Sequence, residues 1–157
     1  MSSPTLRAWS LAGALCGLVF AADQAAKAAV EANLVPGEQV EVAGPLELTL
    51  THNEGVAFGL AGGAGGGLVL ATLVALVAIA YVFTRHAEKP GMWIGVGLLA
   101  GGALGNLADR VRADAVTDYV DVASWPAFNL ADVAITCGVA LLVLVYLRSV
   151  EAGDDGG

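Results

Sequence analysis

Gly101-Gly102-Ala103-Leu104-Gly105-Asn106-Leu107-Ala108-Asp109-Arg110 closes an apolar run that begins near Met92, and its inner tetrapeptide, Asn106 to Asp109, recurs as Asn129-Leu130-Ala131-Asp132 where the next apolar run begins. A carboxylate beside an apolar run of membrane length is expensive and is by default a functional candidate. The same four residues at the facing ends of two consecutive runs predict two helices joined on one side of a membrane, with Asp109 and Asp132 at one depth. Positions i and i+3 of a helix share a face. Asn106 is therefore expected beside Asp109, and Asn129 beside Asp132, each amide orienting its carboxylate or binding a polar group of a substrate. Ala131 is small enough to leave room for a substrate backbone.

Two more apolar runs precede these, giving four in all: Ala8 to Ala22, Leu68 to Phe83, Met92 to Leu107 and Phe128 to Leu147. Each crosses a hydrocarbon core of about 30 Å with some tilt and help from flanking residues, at about 1.5 Å per residue. Composition agrees. Of the 157 residues 57% are hydrophobic and 14% are charged, against roughly a quarter charged in a soluble domain. The mean hydropathy is +0.72. A soluble domain of this size could not cover itself with polar surface. The first run has the outline of a secretory signal, with one basic residue, an apolar stretch and Ala21-Ala22, but three further runs follow it. Leu15 is too bulky for a lipoprotein cleavage box at Cys16. Cys16 and Cys137 read as buried free thiols, and His52 and His86 lack metal-ligand spacing. The net charge is −8 and the seven basic residues form no cluster, which gives nucleic-acid binding little support.

The expected fold is an all-α membrane bundle of four transmembrane helices, one domain over residues 1–150, with an acidic, glycine-rich, disordered tail over 151–157. Arg7, Arg85, Lys89 and Arg148 fall on one side if both termini are cytoplasmic. The first loop, Glu31 to Glu54, carries five glutamates and no Lys or Arg, so it belongs outside; Arg110 and Arg112 also fall outside, beside acids. Within that loop Val40-Glu41-Val42 and Leu46-Glu47-Leu48-Thr49-Leu50 alternate apolar and polar around Gly44-Pro45. This is strand periodicity about a turn. Val116 to Val122 adds a third strand, so a small extracytoplasmic β-sheet is expected on the bundle. Gly62 to Gly67 reads as a hinge before the second helix. Gly97, Gly101 and Gly105 line one face of the third helix, where missing side chains let a neighbour approach closely.

Depth brings the carboxylates together. Asp23 follows Arg7 by about as many residues as Asp132 precedes Arg148, and Asp109 lies as far beyond Met92. All three then sit roughly 22–26 Å from the cytoplasmic side, near the outer interface. Two carboxylates facing each other across a helix pair are the minimum equipment for aspartyl proteolysis. Like charges that close share one proton, so one member is a general base and the other a general acid. Plainer readings exist. Asn129 could be an N-cap with Asp132 favoured by the helix dipole. Asp109-Arg110 could be a salt bridge at a helix end, Asp23 and Lys27 a helical i, i+4 ion pair, and Asn53-Glu54-Gly55 an ordinary turn.

Five ordered blocks resemble the bacterial lipoprotein signal peptidase family, signal peptidase II: Asp23-Gln24-Ala25-Ala26-Lys27; Asn53-Glu54-Gly55-Val56-Ala57-Phe58-Gly59; Gly101 to Val111; Asp118-Tyr119; and Phe128-Asn129-Leu130-Ala131-Asp132. The resemblance extends from about Leu11 to Leu147. It implies an aspartic endopeptidase of the bacterial inner membrane that removes the signal peptide from prolipoproteins at the bond before a diacylglyceryl-modified cysteine. It places the catalytic pair at Asp109 and Asp132, with Asp23, Lys27, Asn53, Gly55, Asn106, Arg110 and Asn129 lining the site. It implies no metal or organic cofactor, partners limited to the lipidated substrate and membrane lipids, a monomer, a β-cradle and a small extracytoplasmic helix. The rival classes are a small proton-coupled transporter, whose carboxylates belong near the bilayer midplane on broken helices, and a non-enzymatic scaffold held by glycine packing.

Overall fold

The computed structural model describes residues 3–55, 64–123 and 125–154, with side chains described for all of these except 64, 65 and 152–154. In chain order the elements are α1 (Ser3–Asn33), β1 (Gln39–Ala43), β2 (Leu46–Asn53), α2 (Ala64–His86), α3 (Met92–Ala113), β3 (Val116–Val122), β4 (Trp125–Phe128) and α4 (Leu130–Asp154). Among the described residues three helices, α1, α2 and α4, are long and apolar enough to cross a membrane. The third of the expected spans, on α3, is long enough at 22 residues, about 33 Å, but glycine, Asn106, Asp109 and two arginines dilute its apolar character.

Helix α1 does not stop where its apolar run stops. Asp23 sits in the body of the helix, because Ala25, Ala26, Ala28, Ala29 and Ala32 keep helix propensity high to Asn33. Helix α3 likewise runs on past Leu107 to Ala113. Helix α4 starts at Leu130 rather than Phe128, since Phe128 belongs to β4, and it continues to Asp154. Residues 151–154, expected as tail, are therefore helical; the remainder of that tail lies outside the described residues. Ala64 to Gly67, expected as part of a hinge, form the first turn of α2; Gly62 and Gly63 lie outside the described residues. So do Val56 to Gly59. Among the described residues there is no separate extracytoplasmic helix.

The sheet has four antiparallel strands in the order β1-β2-β3-β4. The expected Gly44-Pro45 turn joins β1 to β2, with Gly44 at φ +55°, a left-handed conformation natural to glycine. In β2 and β3, Asn53 opposes Val116 and Thr51 opposes Asp118. The strand β4 carries no alternation strong enough to foresee it.

Helix α3 is the centre of the bundle and packs chiefly on α1 and α4. Its glycine stripe faces α1. A Cβ on Gly97 would lie 3.0 Å from the Ala12 carbonyl oxygen, one on Gly101 would lie 2.7 Å from the Cys16 carbonyl oxygen, and one on Gly105 would meet the Asp23 carboxylate. A second pair, Gly95 and Gly102, faces α4. Close backbone approach on two faces brings the polar residues of three helices to one depth. The apolar core lies at the other end of the bundle, where Ala8, Ala12, Phe83, Met92 and Val96 pack together and the Trp9 and Phe83 rings stand 4.6 Å apart. Cys16 is half-buried and Cys137 exposed, both free; Cys137 points away from the packed faces of α4, so the expected burial does not hold for it.

Candidate active site

Lys27 is the hub. Its ammonium lies 2.9 Å from Asp23 Oδ2 and 2.6 Å from Asp109 Oδ2, and it donates to Asn106 Oδ1 at 2.9 Å. The helical pair expected for Asp23 and Lys27 is present, and it is part of the site. Asp109 pairs with Lys27, not with Arg110. Arg110 donates instead to the Asn106 carbonyl of its own helix.

Asn106 joins the two halves. Its Nδ2 donates to Asp132 Oδ1 at 2.8 Å, while its Oδ1 accepts from Lys27 and, at 3.1 Å, from Asn129 Nδ2. Asp109 and Asp132 are thus connected through Lys27 and Asn106. The expectation that Asn106 orients its own helix neighbour is corrected: the amide crosses to the carboxylate of α4. The reason is packing, because α3 and α4 meet backbone to backbone at Gly102 and Ala131.

Asn129 does cap α4. Asp132 N–H donates to Asn129 Oδ1 at 3.0 Å, and the Asn129 N–H donates back to Asp132 Oδ2 at 3.2 Å, a reciprocal capping box. The cap and the site are one device, since the Asn129 amide also donates to Asp118 Oδ1 at 2.7 Å. Ala131 is fully buried and lies against Gly102 of α3. Its N–H donates to Asp23 Oδ1 at 3.0 Å.

Asp118 anchors the sheet to the bundle. Besides Asn129 it accepts from Asn53 Nδ2 at 3.0 Å. Burial pushes its carboxyl above the usual carboxylate range and the nearby Asp132 charge adds to this, against the opposing pull of the Asn53 and Asn129 donors. Asn53 Oδ1 accepts from the Gly55 N–H, an Asx turn that the positive φ of Gly55 completes. The expected turn is therefore present, and Asn53 also reaches the polar cluster through Asp118.

Four participants were not among the expected site residues. Gln24 Nε2 donates to Asp109 Oδ1 at 2.9 Å, and its Oε1 accepts from Arg112 at 2.5 Å. Thr117 links the Asp109 carboxylate, through its N–H, to Glu31, through its hydroxyl at 2.7 Å. Gln24 stands within the first of the blocks that carry the family resemblance, so a signal existed for it; nothing in the local pattern singles out Arg112, Glu31 or Thr117.

Exposure separates the four clustered aspartates. Asp23 and Asp118 are buried, whereas Asp109 and Asp132 keep partial access. A cavity of about 250 Å³ opens beside Asp132, lined by Trp125, Phe128, Val133, Thr136 and Cys137. Among the described residues no three His, Cys, Asp or Glu side chains converge as a metal site. Lys27 fills the place between Asp23 and Asp109 that a cation would take.

Residues 15–148 match the family described as signal peptidase (SPase) II. The chain belongs to that family. It is accordingly an aspartic-type signal peptidase and a multi-pass membrane protein. It is 36% identical over 148 residues to the lipoprotein signal peptidase of Dehalococcoides mccartyi, covering 90% of this chain and 91% of the relative. With that of Pelotomaculum thermopropionicum it shares 43% identity over 137 residues, covering 85% and 90%. A bacterial membrane enzyme solved by the in meso method at 2.3 Å superposes with a TM-score of 0.81 at 30% identity, over 88% of each chain.

Proposed function

We propose that Asp109 and Asp132 are the catalytic dyad of a signal peptidase that removes the signal peptide from prolipoproteins at the bond before the diacylglyceryl-modified cysteine. The observation that carries this is the partition of the carboxylates. Asp109 and Asp132 alone among the clustered four keep access, while Asp23, Lys27, Asn106, Asn129 and Asp118 hold them from behind. The ionised member takes a proton from water as the water oxygen adds to the scissile carbonyl. The protonated member donates to the carbonyl oxygen, and a proton then passes to the leaving amine as the C–N bond breaks. Arg110, Asn53 and Gly55 line the approach and position the substrate backbone, which the Asn53 amide serves by leaving Asp118. No metal or organic cofactor has a part in these steps. A transporter has no support in the family match, and the place of Asp109 and Asp132 near helix ends beside a sheet does not suit one.

In this reading α3 is a fourth span, sheltered from lipid by its neighbours. Both termini are cytoplasmic, the sheet lies outside, and the monomer works in the bacterial inner membrane with its site near the outer face. Labelling at Gln39 from outside and at Gly153 from inside checks that orientation. The apolar cavity beside Asp132 supports sideways access by a lipidated peptide. Each buried methylene anchors by about 0.8 kcal/mol, so two acyl chains fix the depth of the cysteine and with it the scissile bond. Lipidated and unlipidated precursors compared in the same nanodisc test this. The unlipidated form should lose at least about tenfold in kcat/KM through lost positioning; equal rates would refute it.

A further inference from the structure

At the end of the bundle away from the carboxylates, α2, α3 and α4 enclose a cavity that peptide cleavage does not use. Its volume is about 410 Å³, within the range of roughly 300–1,000 Å³ usual for small-molecule sites. Ala78, Val82, Val96, Leu142 and Val145 form apolar walls, and the polar side chains are Lys89, His86 and Tyr146. Among the described residues no carboxylate lines it. The ion pairs among the described residues are the two made by Lys27, so the half-buried Lys89 ammonium has no anionic partner among them. His86 Nδ1–H donates to the Val82 carbonyl at 3.1 Å.

The level of this cavity is that of a membrane interface. Tyr81 and Tyr146 are exposed there, the Arg85 guanidinium lies 5.7 Å from the Tyr81 ring centroid, and aromatic and basic residues gather at headgroup depth. Basic pockets between membrane helices are fitted to anionic headgroups. We propose that the cavity holds an acyl chain of an anionic phospholipid whose phosphate is bound by Lys89, with His86 at the same rim. The chain fills the apolar groove and the phosphodiester supplies the missing counter-charge. A zwitterionic lipid supplies the chain but carries its own cation. The bound lipid would also seat α2, which packs mainly on α3, against α4.

The proposal rests on membrane insertion and not on the aspartate assignment, so the Asp109→Asn variant should bind lipid like the wild type. Native mass spectrometry of detergent-solubilised full-length protein, titrated with dioleoyl phosphatidylglycerol or dioleoyl phosphatidylcholine, tests it. One phosphatidylglycerol should bind roughly fivefold more tightly than phosphatidylcholine, the scale expected for one interfacial cation, and Lys89→Gln should remove the preference while leaving cleavage intact. Ala78→Phe, which fills the cavity, should abolish retention of both lipids, and Val145→Phe does the same from α4 if the first variant folds poorly. Equal retention of the two lipids, or unchanged phosphatidylglycerol retention in Lys89→Gln or in the filled variants, would overturn the proposal.

Discussion

Helices α2 and α3 are nearly equal in length, 23 and 22 residues, and opposite in role. Helix α2 is strongly apolar, yet among its described side chains Phe83 is the buried one, while Leu70, Val74 and Val77 face outward. Helix α3 is diluted by glycine and polar residues, yet it is the most enclosed helix of the bundle. In a soluble protein the more apolar helix would be the inner one. In a membrane bundle apolar character marks contact with lipid, and small or polar residues mark contact between helices. The helix least like a membrane span by composition therefore holds Asn106 and Asp109 at the polar centre of the bundle.

The sharpest way to break this contrast is to remove the charge at the polar centre of α1 and α3. Lys27→Met leaves Asp23, fully buried, and Asp109 without their shared cation. Stranding buried charges costs about 3–5 kcal/mol, so thermal unfolding in detergent should show little folded protein. Wild-type stability would mean that Lys27 is not the hub. A smaller effect compares glycines on the two helices. Gly102→Ala would drive a Cβ into the Ala131 carbonyl and should destabilise by about 1–3 kcal/mol. Gly66→Ala in α2 has nothing within 4 Å and should be neutral or slightly stabilising, by up to about 1 kcal/mol. Equal responses would erase the distinction between the helices.

The smallest effect concerns Asp118, where the polar centre reaches the sheet. Its folded-state carboxyl is raised by burial, so the folded protein holds that proton more tightly than the unfolded chain. The resulting stabilisation is fully present below the ordinary carboxylate range and is lost as pH rises through the raised value. Asp118→Asn should flatten this part of the stability–pH profile, measured by thermal unfolding; parallel profiles would show that Asp118 does not titrate with folding.

Much of this was legible in the sequence. The apolar runs marked the helices, strand alternation marked β1 and β2, β-branched and aromatic residues marked β3, and the repeated tetrapeptide singled out Asp109 and Asp132. The glycine stripe read correctly as packing, and the structure adds that it seats Asp23. What the sequence did not reveal is which side chain each amide meets. An i, i+3 spacing places Asn106 and Asp109 on one face, but the rotation of α4 against that face decides that Asn106 reaches Asp132. Arg112 and Glu31 join the site through contacts more than eighty residues apart in sequence, which no local pattern encodes. Strand β4 is four residues long and is formed by pairing with β3 rather than by its own alternation.

The central claim is that Asp109 and Asp132 act as one unit. Asp109→Asn, Asp132→Asn and the double variant, purified at wild-type yield with unchanged unfolding temperature, should be assayed on a diacylglyceryl-modified precursor. Each single variant should lose at least about a thousandfold in turnover, and the double variant should lose no more than either alone, because members of a catalytic unit are not additive. Near-normal turnover in either single variant, or losses that multiply in the double, would contradict the dyad.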